Sequence, residues 1–182
     1  MPLKAVLDAN VLFPFTLRDT LLRAAEAGLF QVYWSEQILD EVCRNLVEKT
    51  KMSEKQAGHL RAEMEQAFPE AMVQGHEKLI ARMKNDPKDR HVAAAAQKAK
   101  VQNIVTDNLK DFRKLSAGIH AISADAFLQQ LLAGAPSEML KALRDQAAAL
   151  KKPSRTFEDL LAGLEKSVPG FAKAVRGISK QP

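Results

Sequence analysis

Two aspartates stand directly after short apolar runs: Asp8 after Leu3-Lys4-Ala5-Val6-Leu7, and Asp107 after Asn103-Ile104-Val105-Thr106. Two further acidic pairs, Asp40-Glu41 and Asp86 with Asp89, fall on helical patterns between them. Carboxylates converging from separate segments are hard oxygen ligands suited to Mg²⁺ or Mn²⁺. An ion held that way can activate a water and neutralise the charge that builds on a phosphate, which is what phosphodiester hydrolysis needs. Without a cation the same carboxylates repel one another.

Each acid also has an ordinary role at its position. Asp8 suits an Asx-type turn, and Asn10, two residues on, could orient Asp8 or a water. Glu41 sits beside the apolar stripe of Ile38 and Val42, with Asp40 on the other flank, and the helical wheel does not choose between them. Asp86-Pro87 fits an N-cap followed by the first helical residue. Asp89 then falls in the first turn, where the helix dipole favours an acid. It also lines up with Val92, Ala93 and Ala96, at the open end of a buried stripe. Asp107 has Thr106, Asn108 and Asp111 as hydrogen-bonding neighbours.

Other chemistries find little support. Gly28, Gly58 and Gly75 are isolated, so no glycine-rich phosphate loop is present. His59, His76, His91 and His120 lack zinc-ligand spacing. His91, next to the acids, could touch substrate but reads as a surface residue. No Gly-x-Ser-x-Gly elbow appears. The single Cys43 excludes an internal disulfide and reads as packing.

Strands and helices must bring these acids together. The pattern predicts strands at Leu3–Leu7, Phe30–Trp34, Asn103–Thr106 and His120–Ser123. Between them it predicts helices over about Arg18–Ala27, stopped by Gly28, and over Ser35–Lys49. Another opens with a Ser53/Gln56 capping box and ends near Phe68. Further helices start at Asp86 and at Ala124. Residues 70–84 read as short helical pieces with a brief strand. Alternation of this kind implies a parallel sheet with helices on both faces. Its binding crevice lies beyond the carboxyl ends of the strands, where Asp8 and Asp107 stand.

Gly134-Ala135-Pro136 breaks the pattern, dividing the chain into residues 1–132 and a helical C-terminal extension, 133–182. One tail helix starts at Ser137. Another starts at Thr156, with Phe157, Leu160, Leu161, Leu164 and Val168 on one face, and Pro169 begins one more turn or short helix. Exposing that face would be unfavourable, so the tail is expected to pack against a core or a partner.

Hydrophobic residues make up 46% of the 182, too many for a disordered chain. The formal net charge is +5, and residues 137–182 hold nine Lys/Arg against five Asp/Glu. Lys151, Lys152 and Arg155 could therefore face the phosphates of a polyanionic partner. No apolar run is long enough to span a membrane. The first residues do not read as a signal peptide, so a soluble cytoplasmic protein is expected.

Four segments resemble, in order and spacing, the acidic motifs of PIN-domain ribonucleases: Val6-Leu7-Asp8-Ala9-Asn10-Val11-Leu12, Ile38-Leu39-Asp40-Glu41-Val42, Asp86-Pro87-Lys88-Asp89-Arg90-His91-Val92-Ala93-Ala94-Ala95 and Ile104-Val105-Thr106-Asp107-Asn108. The resemblance spans roughly residues 3–132. It implies a PIN-like α/β/α sandwich with a central, mainly parallel sheet. It selects Glu41 over Asp40 and Asp89 over Asp86, giving Asp8, Glu41, Asp89 and Asp107 as catalytic ligands of Mg²⁺ or Mn²⁺. Asp86 and Asp111 are further contributors, and Asn10, Thr106 and Asn108 are supporting polar residues. The VapC-like members are ribonuclease toxins, usually homodimers, held inactive by a cognate antitoxin, and some longer ones carry a helical tail. The alternatives within the family are a housekeeping RNA-processing nuclease and a non-catalytic RNA- or protein-binding module.

Overall fold

The apolar run before Asp8 forms β1 (Lys4–Leu7), in which Ala5, Val6 and Leu7 are wholly buried. In the computed structural model, which describes residues 3–151 and 153–179, β1 pairs in parallel with β2 (Gln31–Tyr33) on one side. On the other side it pairs in parallel with β3 (Asn103–Val105), to which β4 (His120–Ile122) adds in parallel. The four-stranded order is β2-β1-β3-β4. Strands covered on both faces read as near-continuous apolar runs, which is why β1 and β3 were legible. The register sets Leu7 beside Val105, so Asp8 and Thr106 leave the sheet as neighbours.

In chain order the helices are α1 (Ala9–Leu12), α2 (Phe15–Glu26), α3 (Glu36–Lys49), α4 (Glu54–Ala67), α5 (Glu77–Ile80), α6 (Arg90–Ala99), α7 (Ala124–Gly134), α8 (Pro136–Ala149), α9 (Phe157–Glu165) and α10 (Pro169–Ser179). Ser35 and Ser53 cap α3 and α4, and Gln56 completes the capping box. Gly28 follows α2 at φ +75°, a left-handed position that glycine takes without strain. The strands are each one or two residues shorter than the sequence reading and α8 starts at Pro136, and three further differences have a local cause. Helix α2 starts at Phe15, not Arg18, because Pro14 already supplies an extended N-cap at φ −68°. The helix read from Asp86 opens as a tight 3-10 turn, Pro87–Asp89, with the Asp86 carboxylate accepting from Lys88 N–H at 3.1 Å. The short element at Pro169 is a helix of 11 residues.

Two compact units result. One comprises Lys4–Phe13 and Gln31–Ile122, and so holds the whole sheet. Within it α6 packs on β1 and β3, α3 on α1 and α4, and α5 on α6. Between α4 and α5, Met72 makes an isolated parallel bridge to Trp34, one bridge in place of the brief strand expected in residues 70–84.

The other unit joins Pro14–Phe30 to the chain from Ser123 onward. The boundary drawn between residues 132 and 133 does not coincide with this division. Helix α2 packs on α8 and α9, and α10 on α7 and α9, so α2 and α7 share a core with the tail. Leu160, Leu161, Leu164 and Val168 are buried there, and Phe157 is half-buried. A buried polar pair, Thr20 Oγ donating to Gln146 Oε1 at 2.8 Å, is satisfied within the same unit. Among the described residues no helix is long and apolar enough to cross a membrane.

Candidate active site

Asp8 is the N-cap of α1 and is only 4% exposed. Its Oδ1 accepts from Ala9 N–H at 2.8 Å. Its Oδ2 accepts from Thr106 Oγ at 2.7 Å and from Asn10 Nδ2 at 3.0 Å. Asn10 also donates to Thr106 Oγ at 3.0 Å and accepts from Asp107 N–H at 3.1 Å. Thr106 Oγ further accepts from Asn108 N–H at 3.1 Å. This closed set of bonds ties the ends of β1 and β3 together and locks the Asp8 carboxylate in one orientation.

A cleft of about 500 Å³ opens over these residues. Asp8, Asn10, Glu41, Asp89, His91 and Asn108 all line it, brought from the ends of β1 and β3, from α3 and from the start of α6. Asp107 is exposed and held through its backbone to Asn10. Asp86 is occupied in capping the 3-10 turn, and its N–H donates to Asp111 O at 3.0 Å. Asp111 is bridged by Lys88 Nζ at 3.0 Å. The two acids left open on α3 are distinguished by their partners: Asp40 is engaged by Arg61, while Glu41 faces His91 Nε2 at 3.8 Å.

His91 corrects the sequence reading. It is buried, at 7% exposure, not a surface residue. Residues 92–96 are Val and Ala and are all buried, so α6 is covered on nearly every side. Burial, and then the neighbouring His76, push the His91 pKa down to about 4, leaving a neutral ring near neutral pH.

The electrostatics of the cleft are unfavourable for the protein alone. Burial pushes Asp8 up to about 6, Glu41 and Asp107 push the same way, and the Thr106 and Ala9 hydrogen bonds only partly offset this. Asp89 is likewise pushed up to about 6, by burial and then by Asp8, with Lys88 opposing. The Asp89 Oδ2 atom is buried and has no hydrogen-bond partner among the described residues. An orphaned carboxylate oxygen beside a second, repelling carboxylate fits a hard divalent cation. Among the described residues no three His, Cys, Asp or Glu side chains by themselves gather closely enough to cage an ion. Mg²⁺ typically keeps several waters and takes one or two carboxylates together with substrate phosphates, so the donor set present is of the kind it uses.

Sequence reasoning missed Gln37, Arg44 and Lys88, which also line the cleft. Gln37 and Arg44 lie four residues before and three after Glu41, spacing that puts all three on one helix face and could have revealed them. Lys151 and Arg155 are exposed, and Lys152 lies outside the described residues. Cys43 is half-buried, its Sγ 3.5 Å from Ala57 O, in keeping with packing.

Comparison with known proteins gives two family matches. The PIN domain family matches residues 4–110, and the family described as the VapC50 C-terminal domain matches residues 124–177. The chain is 36% identical over 111 residues to the Mycobacterium tuberculosis protein named "Putative ribonuclease VapC50". That alignment covers 59% of this chain and 66% of the relative, just under two thirds of its length. No solved structure matches the chain.

Proposed function

Because this chain belongs to the PIN-domain family and carries a VapC50-type C-terminal domain, we propose that it is a cytoplasmic Mg²⁺- or Mn²⁺-dependent ribonuclease, the toxin of a toxin–antitoxin pair. The observation that carries this reading is the pair of buried, mutually repelling carboxylates, Asp8 and Asp89, on one cleft. The name of the VapC50 relative supports RNA as the substrate.

Asp8, Glu41, Asp89 and Asp107 would hold the ion, one or two of them directly and the others through its waters, with Asp86 and Asp111 at its margin. When bound, such an ion supplies positive charge for the phosphate and lowers the pKa of a coordinated water. The chain's own residues do the rest. Asn10 and Thr106 hold Asp8 in one rotamer, so no reorientation is needed as substrate enters. His91, neutral near neutral pH, stands 3.8 Å from Glu41 and places no positive charge against it. Asn108 also lines the cleft, and its side-chain amide would donate to a phosphate oxygen there. The C-terminal helices, with Lys151, Lys152 and Arg155, serve RNA binding, homodimerisation or contact with a cognate antitoxin.

Asp8→Asn and Asp107→Asn should each reduce Mg²⁺-dependent RNA cleavage to near background, and induced expression of the wild type, but not of either variant, should arrest growth. EDTA should silence the wild type as well. Full cleavage by both variants, or in EDTA, would end the proposal. Asp107 is exposed, so its substitution leaves the fold intact even if the bonded network at Asp8 does not tolerate an amide.

A further inference from the structure

Two cations, Arg44 and Lys88, stand on the wall of the acidic cleft. They are held differently. Lys88 Nζ is bridged to Asp111 at 3.0 Å. Arg44 is exposed, and its guanidinium makes no ion pair or hydrogen bond among the described residues. Acceptors are close by in the chain. Asp40 and Glu48 lie four residues to either side of Arg44 on α3, and Glu41 lies three before it, the spacings at which helical side chains pair. None of the three takes it. Asp40 is turned to Arg61 of α4, and Glu41 faces His91. A surface ion pair stabilises a fold only slightly, so Arg44 loses little by standing free. It stays available to an anion from outside.

Helix α3 fixes where that anion would sit. Ile38, Leu39, Val42 and Leu46 are buried and set the helix's rotation. Gln37, Glu41 and Arg44 then form a row along the cleft. Arg44 is offset from Glu41 by roughly 4.5 Å along the helix axis, so the guanidinium lies beside the ion-holding acids. Charge balance gives it a task there. A single divalent ion offsets only two of the negative charges that Asp8, Glu41 and Asp89 bring. A phosphate chain entering the cleft still meets an excess of negative charge, and a further cation is needed to draw it in. The planar guanidinium is always charged, and its fork of N–H donors matches two oxygens of one phosphate.

We infer that Arg44 binds a backbone phosphate of the RNA beside the one at the ion, and so sets substrate affinity in the cleft without holding the metal. The inference rests on the ribonuclease reading for its substrate.

Binding of a fluorescently labelled, mixed-sequence single-stranded RNA is followed by anisotropy in Mg²⁺ over a range of salt concentrations. The full-length protein carries Asp107→Asn to suppress cleavage. Adding Arg44→Ala should weaken binding at low salt by roughly tenfold to 100-fold, the size of one hydrogen-bonded charge contact. The slope of log affinity against log salt should become shallower by about 0.7, the share of one phosphate on a single strand. Arg44→Lys should keep the slope and lose less affinity, since the charge remains and only the fork is lost. Lys55→Ala, at an exposed cation of α4 that does not line the cleft, should leave binding unchanged. In protein with Asp107 intact, Arg44→Ala should raise KM more than it lowers kcat, and its Mn²⁺ affinity should match the wild type. An unchanged salt slope in Arg44→Ala, an equal loss in Lys55→Ala, Mn²⁺ binding weakened as in Asp89→Asn, or no RNA binding at all overturns the inference. Arg44-dependent RNA binding by a protein that does not cut would leave it standing and remove the ribonuclease reading. Cleavage with a KM and salt slope indifferent to Arg44→Ala would do the reverse.

Discussion

Asp89→Asn is expected to slow RNA cleavage by on the order of 10³-fold, the several kcal/mol that metal-centred charge stabilisation supplies, while raising the Tm of the metal-free protein near neutral pH. The two effects together separate a working residue from a structural one. Asp89 sits at 8% exposure with one carboxylate oxygen unpartnered and Asp8 repelling it. Its folded-state pKa of about 6 lies above the ordinary value of 3.8. Near neutral pH the group is ionised in both folded and unfolded chains, and the folded state carries the full penalty. As pH falls through about 6 the folded state takes up a proton first, and stability is regained until the unfolded chain also protonates near 3.8. Asp8 behaves in the same sense. His91 acts oppositely: its pKa is depressed from 6.5 to about 4, so acidification through that window favours the unfolded chain. The diagnostic quantity is therefore the difference between wild type and variant. Asn at position 89 should remove part of the stabilisation gained between neutral pH and about pH 5. A lower Tm with unchanged cleavage would make Asp89 a structural residue.

Phe171→Ala should destabilise the protein by ~3–5 kcal/mol, the usual cost of emptying a fully buried aromatic site. At the chain's size that corresponds to a Tm lower by roughly 6–20 °C. Phe171 is 0% exposed in α10, and the start of that helix is fastened by Asp125 of α7. The Asp125 carboxylate accepts from Gly170 N–H at 3.0 Å and from Phe171 N–H at 2.6 Å. Gly170 permits this approach, since a Cβ there would stand 3.0 Å from Asp125 Oδ2 and 2.5 Å from Gln129 Nε2. A solvated tail would lose almost nothing on the same substitution. Thermal unfolding followed by circular dichroism distinguishes the two, and an unchanged Tm would show that α10 does not stabilise its unit.

The parts of the site that lie on the ends of strands were legible in the sequence. A buried parallel strand is a short apolar run, and Asp8 and Asp107 mark where two such runs stop. Neighbouring register then accounts for Asn10 and Thr106 meeting, although 96 residues separate them. Long-range partners were not legible. Nothing local announces that Arg61, on α4, engages Asp40 and so differentiates it from Glu41. Nor does the periodicity of α6 show that His91 is buried, because a helix of small Val and Ala side chains can be covered on almost every face. The grouping of α2 with α8 and α9 is likewise a tertiary fact: an amphipathic helix announces that it has a buried face, not which partner covers it.

The acidic cleft is proposed to hold a divalent ion for phosphodiester hydrolysis. Mn²⁺ binding, followed by electron paramagnetic resonance near neutral pH in wild type, Asp8→Asn and Asp89→Asn, tests it most directly. The wild type should bind Mn²⁺, and each variant should bind at least about tenfold more weakly, the lower end of what disturbing a metal site costs. Equal Mn²⁺ affinity in all three proteins, or no binding by the wild type even with RNA present, would contradict it.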